Sequence, residues 1–493
     1  MSSYIIAIDQ GTTSTRVCIF DENGHLVNQA QKEFTQFFPK PGWVEHDPEE
    51  IWQTTLITLR EATSKINKQQ IVTIGITNQR ETVLVWDAKS SKPIHPAIVW
   101  QCRRTQEACN KIRKRKLDQK IYKETGLIVD PYFSATKIQW ILKNVSGAMA
   151  RAKQGQLRLG TIDTFLLWRL SAGKAHGTDV SNASRTMLMN LKTISWSPNL
   201  LKLFDVPESL LPEIHSSNAL FGVTQGLGFL PDGIPIHGIL GDQQAALFGQ
   251  IAHSPGDAKC TFGTGSFILL NTGSEIVFSR HKLLTTVAWQ LEHQKTIYAL
   301  EGGAFICGAA VQWLRDGLGL IQSSEEIESL ARQVSSSEGV EFVPALVGLG
   351  APIWNPEARG LISGLTRGTN KAHIAFATLE AMALQNVDIL RAMEKDLEKQ
   401  IRQLKVDGGA AKNNLLMQLQ SDYLGRPVDR PVVFETTALG AALMAGLGAG
   451  VFKTPQDLKK KWLLDRQFVP QISKLQREKR QRNWQRALQM VQL

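Results

Sequence analysis

The sequence predicts an α/β protein made of two similarly built halves that face each other across a cleft. Two repeats and the chain length carry that expectation. Residues 5–20, IIAIDQGTTSTRVCIF, are two β-rich apolar runs joined by a Gly-Thr-Thr-Ser turn, and residues 257–270, DAKCTFGTGSFILL, repeat the design with Gly263, Thr264, Gly265 and Ser266 in the turn. A second pair, GILGDQQAALFG at 238–249 and LKVDGGAAKNNLLMQL at 404–419, runs strand, Gly/Asp turn, small-residue helix in both members. Self-similarity of this kind marks a duplicated architecture. The 493 residues also exceed the roughly 250–300 at which single cores stop growing. Ser254-Pro255-Gly256 punctuates the pattern near 248–256, so the expected domains are 1–250 and 251–493.

Taken in order, the first strand ends at Asp9, and Gly11 lets the backbone bend so that Thr12, Thr13 and Ser14 offer N–H and O–H groups to one anion. A phosphate fits. Asp9 would repel a phosphate but suits a magnesium ion, or a water bound to one, lying between carboxylate and phosphate. An ordinary Gly-Thr-Ser hairpin explains the first turn by itself; its repetition at 263–266 favours the nucleotide. Asn23-Gly24 signals a hairpin, so the first three strands form an antiparallel meander. Asp47 as N-cap, Pro48 at the first position and Glu50 as an acidic capping-box residue start a helix with Trp52, Leu56, Leu59 and Ile66 on one face. The run IVTIGITN at 71–78 reads as a strand buried on both faces. Meander, helix and buried strand is the order of the ribonuclease H-like fold of actin-like ATPases. The second half repeats it from about 255, with strands near 258–270, 283–290 and 295–301 and a helix through Trp313.

Several classes are disfavoured. No GxxxxGK[ST] occurs and no GxGxxG follows a strand and opens a helix, which removes the P-loop and Rossmann readings. TALGAALMAGLGAGVF at 437–452 is shorter than the roughly 20 residues of a membrane span and reads as a tightly packed buried helix. The N-terminal run is broken at Asp9 and lacks the charged start of a secretion signal. Five cysteines, odd in number and without a CxxC pair, suit reduced thiols in a cytoplasm. Of the net charge of +11, residues 103–120 hold +6 and residues 459–486 hold +8, leaving the remainder slightly acidic. Solvated helical faces explain both runs, and aromatic interleaving is too thin for nucleic acid.

The strings DQGTTSTR at 9–16, PGWVEHDPEEIW at 41–52, GITNQRET at 75–82, VWQCRR at 99–104, DPYFSATK at 130–137, NASRTML at 182–188, GDQQAALFGQ at 241–250, GLTRGTN at 364–370 and VDGGAAKNN at 406–414 together resemble the FGGY carbohydrate kinases, and within them the bacterial-type glycerol kinases. The resemblance covers residues 4–455 and implies ATP-dependent phosphorylation of glycerol to sn-glycerol 3-phosphate, with Mg2+ accompanying ATP, in a cytoplasmic homo-oligomer, dimer or tetramer. It implies Arg80, Glu81, Tyr132, Asp242 and Gln243 on the glycerol hydroxyls, with Trp100 and Phe267 against its carbons. Arg supplies N–H donors and Glu accepts O–H protons, as a triol needs. Asp242 is implied as the base that takes the proton of the attacking hydroxyl; a helix N-cap is the plainer role for it. Thr12, Thr13, Ser14, Arg16 and Thr264 are implied on the phosphates, Gly308, Gln312, Gly409 and Asn413 around the adenosine, and Asp9 on the metal. A pentulose or hexonate kinase of the same family is the nearest rival, an actin- or Hsp70-like ATPase the next, and a catalytically retired homologue the third. Some bacterial relatives are inhibited by fructose 1,6-bisphosphate at a Gly/Arg-rich loop; the corresponding TQGLGFLPDGIP at 224–235 lacks Lys and Arg and contains Asp232, so no such site is expected.

Overall fold

Strand order in the two large sheets reveals the duplication and also its true register. The computed structural model describes residues 3–492. In the first half β1 (Tyr4–Gln10), β2 (Ser14–Asp21) and β3 (Leu26–Glu33) form the meander, α1 (Pro48–Ala62) follows, and β4 (Ile71–Asn78) returns parallel to β1. With β5 (Leu220–Val223) and β6 (Pro235–Gly241) the sheet runs β5-β6-β4-β1-β2-β3, and α2 (Asp242–Gly249) leaves β6. The second half contains β7 (Ala258–Phe262), β8 (Ser266–Gly273), β9 (Leu284–Trp289), β10 (Ile297–Ala304), α3 (Gly308–Asp316) and α4 (Lys371–Leu397). It continues with β11 (Leu404–Asp407), α5 (Asn414–Leu424), β12 (Val428–Pro431), α6 (Thr436–Gly448), β13 (Leu464–Phe468) and α7 (Lys474–Met490). Its sheet runs β9-β10-β8-β7-β11-β12-β13, with β11 parallel to β7 and β12 parallel to β11.

Three expectations need correction. The strand at 404–407 lies beside β7 as β4 lies beside β1, so its counterpart is β4. The counterpart of β6 and α2 is therefore β12 and α6, and not the 404–419 segment. Both segments carry a Gly/Asp turn after a strand, and only strand order separates them. Next, β9 does not follow the hairpin within the sheet: β10 pairs with β8 and β9 forms the edge. Finally, Asp47 does cap α1, accepting from Glu49 N at 2.9 Å. Glu50, however, accepts from the backbone and hydroxyl of Thr35, both at 3.0 Å, because the segment that follows β3 runs close enough to offer two donors in place of the cap's own amide. Ile66 lies past the end of α1.

The helix expected at 437–452 is α6, apolar all round and buried, as a helix enclosed on every side must be. It packs on β6, β4 and β1 of the first sheet while α2 reaches β7, β8 and β9 of the second. The two helices cross with almost no side chain between them. A Cβ on Gly440 would lie 1.9 Å from Ala245 O, and one on Gly249 would lie 2.1 Å from Thr436 O. This crossed pair is the joint between the halves.

Five buried, unpaired thiols match the expectation of reduced cysteines. Among the described residues no helix is long and apolar enough to cross a membrane. The C-terminal basic run is partly structural, since Arg480 pairs with Glu341 and Glu380, and Trp484 donates to Asp388 at 2.7 Å.

Candidate active site

At the mouth of the joint, side chains from both halves converge on Arg80. β4 delivers its C-terminal end there, and Glu81 adopts a left-handed backbone with φ 60, a conformation that costs a non-glycine residue about 1–3 kcal/mol and clusters at functional sites. The Arg80 guanidinium grips Glu301 of β10 with two bonds of 2.6 and 2.9 Å. Its Nε lies 3.1 Å from Asp242 Oδ1 and one Nη 3.4 Å from the Tyr132 hydroxyl. Gly241 makes room for the arginine stem: a Cβ there would lie 2.7 Å from Arg80 Cγ and Cδ. Arg185, fully buried, donates to Glu81 at 2.6 Å and to Glu301 at 3.0 Å. Two guanidiniums thus face two carboxylates out of water, with every charge opposed.

The environments of the two carboxylates differ. Burial alone would raise Glu301, but Arg185 and Arg80 prevail and hold it down at about 2. Glu81 receives one short bond, and burial leaves it above the usual glutamate range despite Arg185 and Arg80. Aromatic rings close the pocket. Trp100 meets Tyr132 edge-on at 5.5 Å and Phe267 of β8 at 6.3 Å between centroids.

Trp100 also ties this pocket to the first hairpin, its Nε1 donating to Thr12 Oγ1 at 3.0 Å. Below the turn, Gln79 donates to Gln10 Oε1 and Gly11 O, and Gln36 donates to Thr12 O. His46 sits between Gln36 and Gln79 and is kept neutral by burial, which lowers it to about 4. Thr13 is exposed and Ser14 Oγ accepts from Gln31. Arg16 is engaged by Gln31 at 2.8 and 3.0 Å and by Glu435 at the start of α6. At the second hairpin, the N-terminus of α3 docks on the turn, with Gly308 N donating to Gly263 O and Ala309 N to Thr264 O. Gln312, one turn further along α3, is exposed. Gly408 abuts Phe262 of β7, a Cβ at the neighbouring Gly409 would meet nothing within 4 Å, and Asn413 caps α5 through Leu416 N. The nucleotide candidates of the second half therefore share one rim.

Asp9, at the end of β1, is half-buried. Burial pushes its carboxyl up to about 6, Arg16 acts against that, and Asp242 adds to it. A cation would relieve both acids. Among the described residues no group of three or more His, Cys, Asp or Glu could hold a metal. One carboxylate beside the Thr12 hairpin nonetheless fits magnesium, which keeps several waters and takes phosphate oxygens.

Residues 4–249 match the N-terminal domain of the FGGY family of carbohydrate kinases, and residues 258–449 match its C-terminal domain. The chain belongs to the FGGY family of carbohydrate kinases. A glycerol kinase of Bdellovibrio bacteriovorus is 64% identical over the whole of both chains. A crystal structure of the Plasmodium falciparum glycerol kinase with ADP superposes with a TM-score of 0.94 at 36% identity, covering 100% of this chain and 99% of that one. A gluconate kinase from Lactobacillus acidophilus, 22% identical with a TM-score of 0.89 over 99% and 98% of the two chains, shares the fold.

Within this FGGY cleft the structure brings together Arg80, Glu81, Trp100, Tyr132, Asp242, Gln243 and Phe267, the residues expected around the acceptor. Asp242 is not the cap of α2, a position held by Gly241; its carboxylate accepts from Gln243 N at 2.7 Å. Arg185 lies within the NASRTML string at 182–188 but takes no site role from the sequence, and Glu301 lies in none of the strings. Only Glu301 carries a signal, as a lone charge in the apolar stretch IYALEGGAF, where a charge needs a partner; Arg185 stands among Ser181, Asn182, Ser184 and Thr186, where a charge is unremarkable.

Proposed function

We propose that the chain transfers the γ-phosphoryl group of ATP to glycerol, giving sn-glycerol 3-phosphate. The observation that carries this reading is the convergence of Arg80, Glu81, Tyr132 and Asp242 under an aromatic lid beside the Thr12 hairpin. That lining offers the donors, acceptors and apolar wall that a triol needs. The name borne by the relatives at 64% and 36% identity supports it. Residues 1–250 supply the acceptor pocket and the first phosphate hairpin, and residues 251–493 the rest of the nucleotide site together with Phe267 and Glu301. The enzyme is read as cytoplasmic and as a dimer or tetramer.

In this mechanism Glu81 accepts from a glycerol hydroxyl and Arg80 donates to one. Asp242 accepts the proton of the attacking hydroxyl as the bond to phosphorus forms. Thr12, Thr13 and Ser14 meet the phosphates from one half and Thr264 from the other. Arg16 joins them once Glu435 shares it. Gly308, Gln312, Gly409 and Asn413 border the adenosine. Asp9 would hold magnesium, directly or through water, and the ion would supply charge neutralisation at the phosphates. Phosphoryl transfer of this kind depends chiefly on positioning and charge neutralisation, so a site divided between two halves works only when closed.

The family fold serves other acceptors, as the gluconate kinase neighbour illustrates, so acceptor choice rests on the pocket. Glycerol is expected to stimulate ADP release far more than xylulose, ribulose or gluconate in a coupled assay. Equal or greater turnover with any of those would reassign the substrate.

The 224–235 loop is expected to leave activity indifferent to fructose 1,6-bisphosphate. Asp232, exposed, accepts from Gly226 N at 2.7 Å across the loop, occupying with a carboxylate an N–H that a bisphosphate would seek. Two cations approach from outside the loop, but Lys68 donates to Phe229 O at 2.7 Å and Arg60 lies 5.0 Å over the Phe229 ring. Titration to millimolar bisphosphate at low ionic strength, where screening is least, should give no saturable inhibition. Inhibition abolished by mutating the loop would refute the expectation.

A further inference from the structure

Lys259 is a buried cation that the mechanism above does not use. Its side chain is fully buried, and its ammonium donates to Gln243 Oε1 and, at 2.9 Å, to Thr261 Oγ1. Unlike Arg16, Arg80 and Arg185, it has no carboxylate within ion-pair distance among the described residues. Desolvation disfavours its charge, partly offset by the more distant Asp407 and Asp242. A buried ammonium served by neutral oxygens alone is costly, and a hydrophobic residue of similar volume would fill the space without that cost.

Its place in the sheet explains what the charge can do. Lys259 of β7 stands opposite Leu269 of β8, which stands opposite Glu301 of β10. Thr261, Phe267 and Gly303 form the next row in the same way. Residues directly opposite one another share a face, so Lys259 projects from the face that carries Glu301 and Phe267 into the cleft. Across the cleft it meets Gln243, the second residue of α2. Lysine has three donors and no acceptor, whereas a glutamine amide has one end of each kind. The ammonium therefore dictates which way the amide turns.

We propose that Lys259 is a positioning residue for the acceptor: by holding the carbonyl oxygen of Gln243 it turns the amide NH2 into the pocket, where it donates to a glycerol hydroxyl oxygen. Asp242 and Gln243, adjacent at the start of α2, then act as a complementary pair. One accepts the O–H proton and the other donates to a lone pair. This inference rests on the glycerol reading above.

Steady-state kinetics of wild type, Lys259→Met, Gln243→Leu and the double variant test it. A buried hydrogen bond lost with its partner stranded corresponds to roughly 5- to 150-fold. Lys259→Met is accordingly expected to raise KM for glycerol about tenfold or more while KM for ATP stays within about twofold, and the double variant is expected to be no worse than Gln243→Leu alone, since both remove one interaction. Losses that multiply in the double variant, a main effect on KM for ATP, or a lower melting temperature with unchanged glycerol kinetics would each overturn the proposal. If Lys259→Met does not fold, Gln243→Glu decides. Its carboxylate keeps the contact with Lys259 and should raise the melting temperature, yet it faces glycerol with an acceptor, so KM for glycerol should still rise; an unchanged KM overturns the proposal. A wild type that leaves glycerol untouched while phosphorylating another acceptor would instead overturn the reading of function on which this rests.

Discussion

Asp242→Asn is expected to leave a folded protein that binds both substrates and turns over roughly 10²- to 10⁴-fold more slowly, the usual contribution of a general base. The geometry makes this a narrow test. The carboxylate is about 31% exposed, with one oxygen 3.1 Å from Arg80 Nε and a bond from Gln243 N. An asparagine oxygen can accept both contacts, so the start of α2 and the Arg80 orientation survive the change. What disappears is the second carboxylate oxygen as a proton acceptor, replaced by an NH2 that can only donate. Calorimetry should give ligand affinities near wild type, and circular dichroism an unchanged fold. Retention of more than about a tenth of wild-type kcat would make Asp242 an anchor for Arg80 and nothing more.

The second large effect is expected on stability as well as on catalysis. Glu301 is 2% exposed and receives three bonds from two arginines, each 3.0 Å or shorter. Glu301→Ala would leave Arg80 and Arg185 buried with an excess of positive charge, a loss of about 3–5 kcal/mol for breaking a buried pair from one side. Because Glu301 comes from the second half and both arginines from the first, the damage should weaken the joint and raise KM for glycerol together.

The pH dependence has a definite sign. Glu301 is held at about 2, below its ordinary value of 4.5. Its contribution is therefore complete above about pH 4.5 and is lost as pH falls toward 2. Glu81, raised by burial, works in the opposite sense, so the measurement is the difference between wild type and the Glu301 variant. Denaturant unfolding at neutral and acidic pH should show the two converging in acid. Equal midpoints at neutral pH, with KM for glycerol within about twofold, would contradict the assignment of Glu301 as the clamp on Arg80.

The accessory residues explain why earlier elements of the site are exact in kind yet incomplete in number. Asp47 and Pro48 start α1 as expected because a cap is a contact between neighbours in sequence. Glu50 departs from its expected box because Thr35 of a different segment offers two donors. The same distinction separates Arg80 from its partner: Glu301 lies 221 residues away, and no spacing rule couples positions so distant.

By itself the sequence determined the two hairpins, the meander, the buried strand at 71–78, the apolar helix at 437–452 and the family's motif strings, all of which are written in short-range signals: turn chemistry, apolar periodicity and motif. Only the tertiary structure decided that α6 corresponds to α2, that their glycines let them cross at the joint, and that Arg185, Glu301 and Lys259 belong to the pocket. The reason is desolvation. A charge removed from water must find its partner wherever the packed chain places one, and here that place lies across the cleft, on strands whose order no local pattern records.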